Sequence, residues 1–184
     1  QPHYRNFGTH ESVVLCFMTD ADGNNRAGIR WMELRRTPGA DWSVYQEGTY
    51  APNDGKHRYM STIAMDGSGN IALGYNLSSP FDYVGIRYTG RRATDPLGEM
   101  TIREYVVSIG QNTINSGGRF GDYAHMSIAP TNDRTFWFTT EFADAGRSRT
   151  RIVAFDIRKD SIDIGPTTLL TPQSGALLSN AETV

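Results

Sequence analysis

The chain has 184 residues, enough for one full-sized core or two small domains. A formal net charge of -2 provides no basic field for nucleic acid or an anionic membrane surface, and no apolar run approaches the roughly 20 residues that cross a bilayer. Neither nucleic acid nor membrane insertion is expected, and the single cysteine, Cys16, leaves no disulfide framework and no cysteine-based zinc cluster to consider.

The opening "QPHYRNFG" lacks a basic and apolar leader, so an exported protein would be mature or excised at this point. Beyond it, short runs rich in Val, Ile, Tyr, Phe and Thr alternate with Gly, Asn, Asp and Pro clusters, which is the pattern of strands and turns. A first unit comprises the strands "PHYRNF", "SVVLCFMT", "AGIRWMEL" and "WSVYQEGT", with Cys16 placed as a small buried hydrophobe. A second comprises "YMSTIAMD", "NIALGYNL", "VGIRYTGR" and "MTIREYVVSI", and a third "YAHMSIAP", "TFWFTTEF" and "TRIVAFDI", without a fourth strand.

Internal repetition supports this division. Thr62 to Leu77, "TIAMDGSGNIALGYNL", lies without a gap on Ser127 to Phe142, "SIAPTNDRTFWFTTEF", at an offset of 65 positions. Both read as strand, tight turn, strand: Asp66 to Asn70 in the first copy and Pro130, Asn132 and Asp133 in the second supply the turn chemistry. "AGIRWMELRR" matches "VGIRYTGRR", with Gly28 answering Gly85, and "TRIVAFDI" is a looser third copy. Consecutive four-stranded meanders of about 60 residues give an all-β fold of β-propeller blades, with a stacked β-sandwich as the alternative. Propellers close with at least four blades, so residues 1-158 are expected to form an incomplete ring, completed by further blades of the same protein or by another chain. Residues 159-184, rich in Gly, Pro and Ser and ending in "AETV", read as a linker and the start of a following domain.

"YRNFGTHESVV", "GIRWMELRR", "EGTYAPNDGKHRYMSTIAMDGSGNIALGY", "IRYTGR", "DPLGEM", "GRFGDYAHMSIAP" and "TFWFTTEF" resemble, in order, blocks of large secreted or surface bacterial proteins of Bacteroidetes type whose central region is a sialidase-like β-propeller. The resemblance covers roughly residues 3 to 157, and the tail is similar to the start of the immunoglobulin-like repeats that follow such propellers. It implies export and residence outside the cell or on its surface. It supplies no reaction, since no Asp-box of the Ser-x-Asp-x-Gly-x-Thr-Trp type is present.

Three polar clusters precede or open the first strands of the units: Arg5, His10 and Glu11; His57 and Arg58; Arg119, Asp122, Tyr123 and His125. If those strands line a central channel, the clusters converge. The ligand-binding candidates Arg5, His10, Arg58 and Arg119 would then clamp the carboxylate or sulfate of an acidic sugar. The catalytic candidates are Glu11, His57, Asp122 and Tyr123, with Glu11 and Asp122 the carboxyl pair that a glycosidase needs, and His57, Tyr123 and Arg58 suited to a lyase. The competing interpretation is packing between blades, with Arg119 paired to Asp122 and His125 a satisfied sheet residue.

"DADGNN" places Asp20, Asp22 and Asn24 at alternating positions like the opening of a calcium loop, but Asn25 stands where that loop needs glycine, and a hairpin tip explains the same residues. Trp31, Trp42, Tyr45, Tyr50, Tyr59 and Trp137 could stack on sugar rings or fill space between blades. Asn76-Leu77-Ser78 is a glycosylation sequon. The function expected from these features is an extracellular recognition module for glycan or protein ligands. A polysaccharide hydrolase or lyase with its site at the channel mouth is the alternative, and a structural spacer the third reading.

Overall fold

The computed structural model describes residues 2–114 and 120–157, together with a short strand at 168–170. Among these residues every regular element is a β-strand. The first sheet holds β1 (His3–Asn6), β2 (Glu11–Asp20), β3 (Ala27–Arg36) and β4 (Ser43–Tyr50) in chain order. The second holds β5 (His57–Met65), β6 (Ile71–Ser79), β7 (Asp82–Arg91) and β8 (Ile102–Ser108). The third holds β9 (His125–Ile128), β10 (Phe136–Asp144), β11 (Arg147–Phe155) and β12 (Thr168–Leu170). All neighbours are antiparallel, so each sheet is a four-stranded meander.

The third sheet differs from the sequence expectation, because β12 supplies the fourth strand that the reading omits, pairing Leu170 with Ile152 and Thr168 with Ala154. Three residues are too few to show the two-residue period by which strands are recognised. The strand lies within 159-184, read above as a linker and the start of a following domain; the rest of that segment is outside the described residues.

Packing follows the side-chain alternation of the second sheet, which lies between the other two. In β6, Ile71, Leu73 and Tyr75 join Val14, Ile29 and Trp31 in a cluster between the first and second sheets. Ala72, on the opposite face, joins Phe136, Phe138, Tyr88 and Phe155 in the cluster between the second and third. Large residues on one face and small ones on the other let the middle strand lie close to Phe138: a Cβ on Gly74 would approach that ring to 2.7 Å. Asn76 completes the small face, donating to the carbonyls of Gly85 and Glu141 and accepting from the Thr140 hydroxyl. Asn76 is 0% exposed, so the sequon it begins is closed to modification in the folded chain.

The repeat in sequence is a repeat in packing. Ile71 and Phe136, related by the 65-residue offset, each turn toward the preceding sheet, and Ile29 and Ile86, related by 57, each turn toward the following one. The first strands come together as well. Arg5 of β1 donates to the Met65 carbonyl at the end of β5 and pairs with Asp133 beyond β9. Asp133 also accepts the Gly67 N–H through its backbone carbonyl.

Candidate functional site: a groove along one edge of the sheets

Antiparallel meanders place alternate connections on opposite edges. One edge carries the β2–β3 hairpin, the β4–β5 loop, the β6–β7 hairpin and the residues leading into β9. These segments touch: Arg26 donates to the carbonyls of Ala51 and Pro52, and Ala27 N–H donates to Nδ1 of His57 at 3.2 Å. Past β8, Gln111 N–H donates to the Ala143 carbonyl at the end of β10. The opposite edge carries the β1–β2 loop and the β5–β6 and β9–β10 turns, joined through Arg5, Gly67 and Asp133.

At the first of these edges β5 is irregular. Its pairing with β6 slips between Tyr59 and Thr62, and Met60 takes φ +47°. A left-handed conformation costs a residue bearing a Cβ about 1–2 kcal/mol, and a bulge of this kind re-aims side chains. Gly121, at φ +79°, packs on the bulge so closely that a Cβ there would sit 2.6 Å from Met60 Cγ. Its N–H donates to Glu141 Oε2.

Clefts of about 500 and 540 Å3 flank the bulge and share Tyr59, Met60 and Ser78 as lining. Both volumes are in the range that accommodates organic ligands. The first is completed by Cys16, Phe17, Met18 and His57. The second is completed by Asp82, Tyr83, Asn112, Thr113 and Phe120 among others. Phe120 continues into a depression of about 290 Å3 beside Asp122, Tyr123 and Glu141, while Met18 and Ala27 continue the other way to one of about 250 Å3 beside Asp20. Shared lining thus makes one groove from the β2–β3 hairpin to β10. Large apolar groups stand open along it: Tyr123 is 79% exposed and Tyr83 51%, with Phe17, Met18 and Met60 also exposed.

Of the sequence candidates, His57, Asp122 and Tyr123 line this groove. Because His57 Nδ1 accepts the Ala27 N–H, the neutral ring carries its proton on Nε2. His125 is exposed at the start of β9. Arg119 lies outside the described residues.

The first cluster does not join them. Arg5 is held by Met65 and Asp133 on the other edge, and His10 stacks on Phe7 with ring centroids 4.9 Å apart. Glu11 accepts two hydrogen bonds from Arg36 and one from Tyr4, and the Arg36 hydrogen bonds hold its carboxyl below the ordinary range. Glu11 and Asp122 therefore stand at opposite edges and are not brought together as a catalytic carboxyl pair.

Arg58 is a second departure, because it is 1% exposed and faces the interior rather than a ligand. Its guanidinium meets Asp54 through Nη1 and Nη2, at 3.0 and 2.8 Å, and Glu104 through Nε at 2.8 Å. Glu104 also accepts from the Tyr75 hydroxyl at 2.7 Å. Burial works against the charge on Arg58, but the hydrogen bonds to Asp54 and Glu104 outweigh it and raise its pKa. The alternation that turns Tyr59 toward the groove turns its neighbour inward.

Two of the three proposed calcium ligands, Asp20 and Asp22, accept hydrogen bonds within their own hairpin, and Asn24 donates to the Asp22 carbonyl. Asp20 accepts the N–H groups of Asp22, Gly23 and Asn25, and Asp22 accepts that of Asn24 and pairs with Arg26. No group of three or more His, Cys, Asp or Glu residues among the described residues is arranged to hold a metal ion. No helix among the described residues is long and apolar enough to cross a membrane.

Among the aromatics nominated for sugar stacking, Trp31 is core, Tyr50 packs on Tyr75, and Trp42 and Tyr45 lie under Arg36 and Arg35. Only Tyr59 of that set lines the groove. Tyr83, which the sequence reading missed, follows the Pro-Phe-Asp turn of "SSPFDY", whose turn chemistry is the signal that could have found it. No protein-family model, no curated protein and no solved structure matches the chain.

Proposed function

We propose that this chain is part of a β-propeller recognition module, exported to the cell surface or the surrounding medium, that binds glycan or protein ligands in the groove around Tyr59 and Met60. The observation that carries the reading is the bulge. A strained residue and a register slip are maintained where two clefts meet, and such outliers concentrate at ligand sites. The aromatic rim adds large contact area at low entropic cost. A binding role is favoured over hydrolysis because Glu11 is remote from the groove and bonded to Arg36.

Propeller architecture is supported by the repeated direction of packing. The register aligns Tyr4, Val13, Leu34 and Val44 across the face of the first sheet turned away from the second. Strand alternation puts Trp137, Ile152 and Ala154 on the corresponding outer face of the third. Head-to-tail contacts of this type continue until they close into a ring, and further blades from the same protein or another chain are the partners proposed for both faces. Export and the sialidase-like family rest on the sequence resemblance alone.

The test is binding of the 184-residue chain to a panel of neutral and acidic polysaccharides and mucin-type glycoproteins. Tyr83→Ala and Tyr123→Ala weaken binding, and Leu97→Ala, an exposed change on the opposite edge, does not. Binding that ignores the groove substitutions, or none to any member of the panel, would refute the assignment.

A further inference from the structure

The charges around the groove narrow the ligand class. This inference rests on the groove being the binding site. No lysine or arginine among the described residues lines any of its four depressions, whereas Asp20, Asp82, Asp122 and Glu141 do. Lys56 stands at the groove wall bound to Asp82, itself one of these carboxylates, while Arg26 is paired with Asp22, Arg58 with Asp54 and Glu104, and Arg149 with Asp144. Arg87 is buried and donates to the carbonyls of Ile86 and Ser108. A uronate or sulfated sugar would therefore meet an excess of carboxylates, the Lys56 ammonium being already bound to Asp82, and a site that sets like charge against a ligand selects against it.

A polycationic ligand is disfavoured for a related reason. Asp82 is already paired with Lys56 and accepts the Ser79 hydroxyl; Glu141 accepts from Ser148 Oγ and Gly121 N–H; and Asp20 is used by its hairpin. What remains are aromatic faces at Tyr59, Tyr83, Phe120 and Tyr123 with uncharged hydrogen-bonding groups between them, at Ser78, Asn112 and Thr113. Alternating apolar faces and hydroxyl partners match the two faces and the rim of a pyranose ring. Serial depressions joined end to end suit a chain of such rings. We infer that the groove takes a neutral oligosaccharide, held by stacking on Tyr83 and Tyr123 and by hydrogen bonds to Ser78 and Asn112.

The test uses calorimetry on the 184-residue chain with neutral hexasaccharides of glucose, mannose and xylose. Oligogalacturonate, a chondroitin sulfate oligosaccharide and polylysine serve as charged probes. Binding is expected for at least one neutral hexasaccharide and for none of the charged probes, with little dependence on salt. Tyr83→Ala weakens it about tenfold, while Tyr83→Phe, which keeps the ring, retains it. Groove-dependent binding of only a charged probe or a glycoprotein overturns the neutral-sugar inference and leaves the groove as the site. No groove-dependent binding to any of these or to the wider panel overturns both. Tyr83 and Tyr123 are exposed, so their replacement does not threaten the fold.

Discussion

Arg58 shows how one residue type in one sequence context can serve either interior or ligand. Adjacent to His57 at the start of a strand, it has the look of a surface clamp; in the fold it ties the β4–β5 loop, through Asp54, to β8, through Glu104. Replacing it with methionine keeps the volume but leaves two carboxylates without their cation. Because both are partly solvated, a loss of about 2–4 kcal/mol in unfolding free energy is expected by chemical denaturation, toward the low end for a broken buried pair. The same pair predicts an acid limb. The hydrogen bond from Arg58 depresses the Asp54 pKa in the folded state. That contribution is complete above the unfolded value of about 3.9 and disappears as pH falls through the folded one. Asp54→Asn is expected to shallow the acid limb of a stability–pH curve. His3 adds a limb at higher pH. Burial beside β5, reinforced by Arg5, lowers its pKa below the ordinary 6.5. The unfolded chain then binds the proton more readily, so stability falls as pH drops below about 6.5 and levels off below the folded value. His3→Gln is expected to flatten that segment.

Strand order and turn positions from β1 to β11 were legible because most of these strands are long enough to show their period and the turns carry their own chemistry, whereas the three residues of β12 are not. Asp66, for example, accepts the N–H groups of Ser68 and Asn70 as an Asx turn should. The element that organises the groove was not legible: nothing in "HRYMSTIAM" marks Met60 as the residue that leaves the ladder, since a bulge arises from competition between two strands' registers. Tight sheet spacing gives a sharper test at this scale. Gly74→Ala drives a methyl into the Phe138 ring, and a destabilisation of about 1–3 kcal/mol is expected in denaturant titration. Combining it with Phe138→Leu should recover part of the loss, as neighbours sharing one space are non-additive. A full loss in both backgrounds would show that sheet spacing is set elsewhere.

At the level of the whole molecule, the open faces have a measurable consequence. The outward row Tyr4, Val13, Leu34 and Val44 leaves apolar surface on the first sheet without a packing partner among the described strands. Contiguous exposed patches of this kind promote association. Val13→Glu combined with Leu34→Lys is expected to shift the chain toward monomer in light scattering, with the groove and its ligand binding unaffected. The sequence by itself determined the all-β class, the three repeating meanders and their turns, because hydrophobic alternation and turn propensity act over a few residues and are written locally. It could name His57, Tyr59, Asp122 and Tyr123 but not Met60, Tyr83 or Asn112 beside them. Which arginines are buried, that Glu11 faces away from Asp122, and that Tyr59, Tyr83 and Tyr123 share one groove were decided only by the packing of sheet on sheet. Those contacts join residues far apart in the chain, and a one-residue change of register would have turned each side chain to the other face.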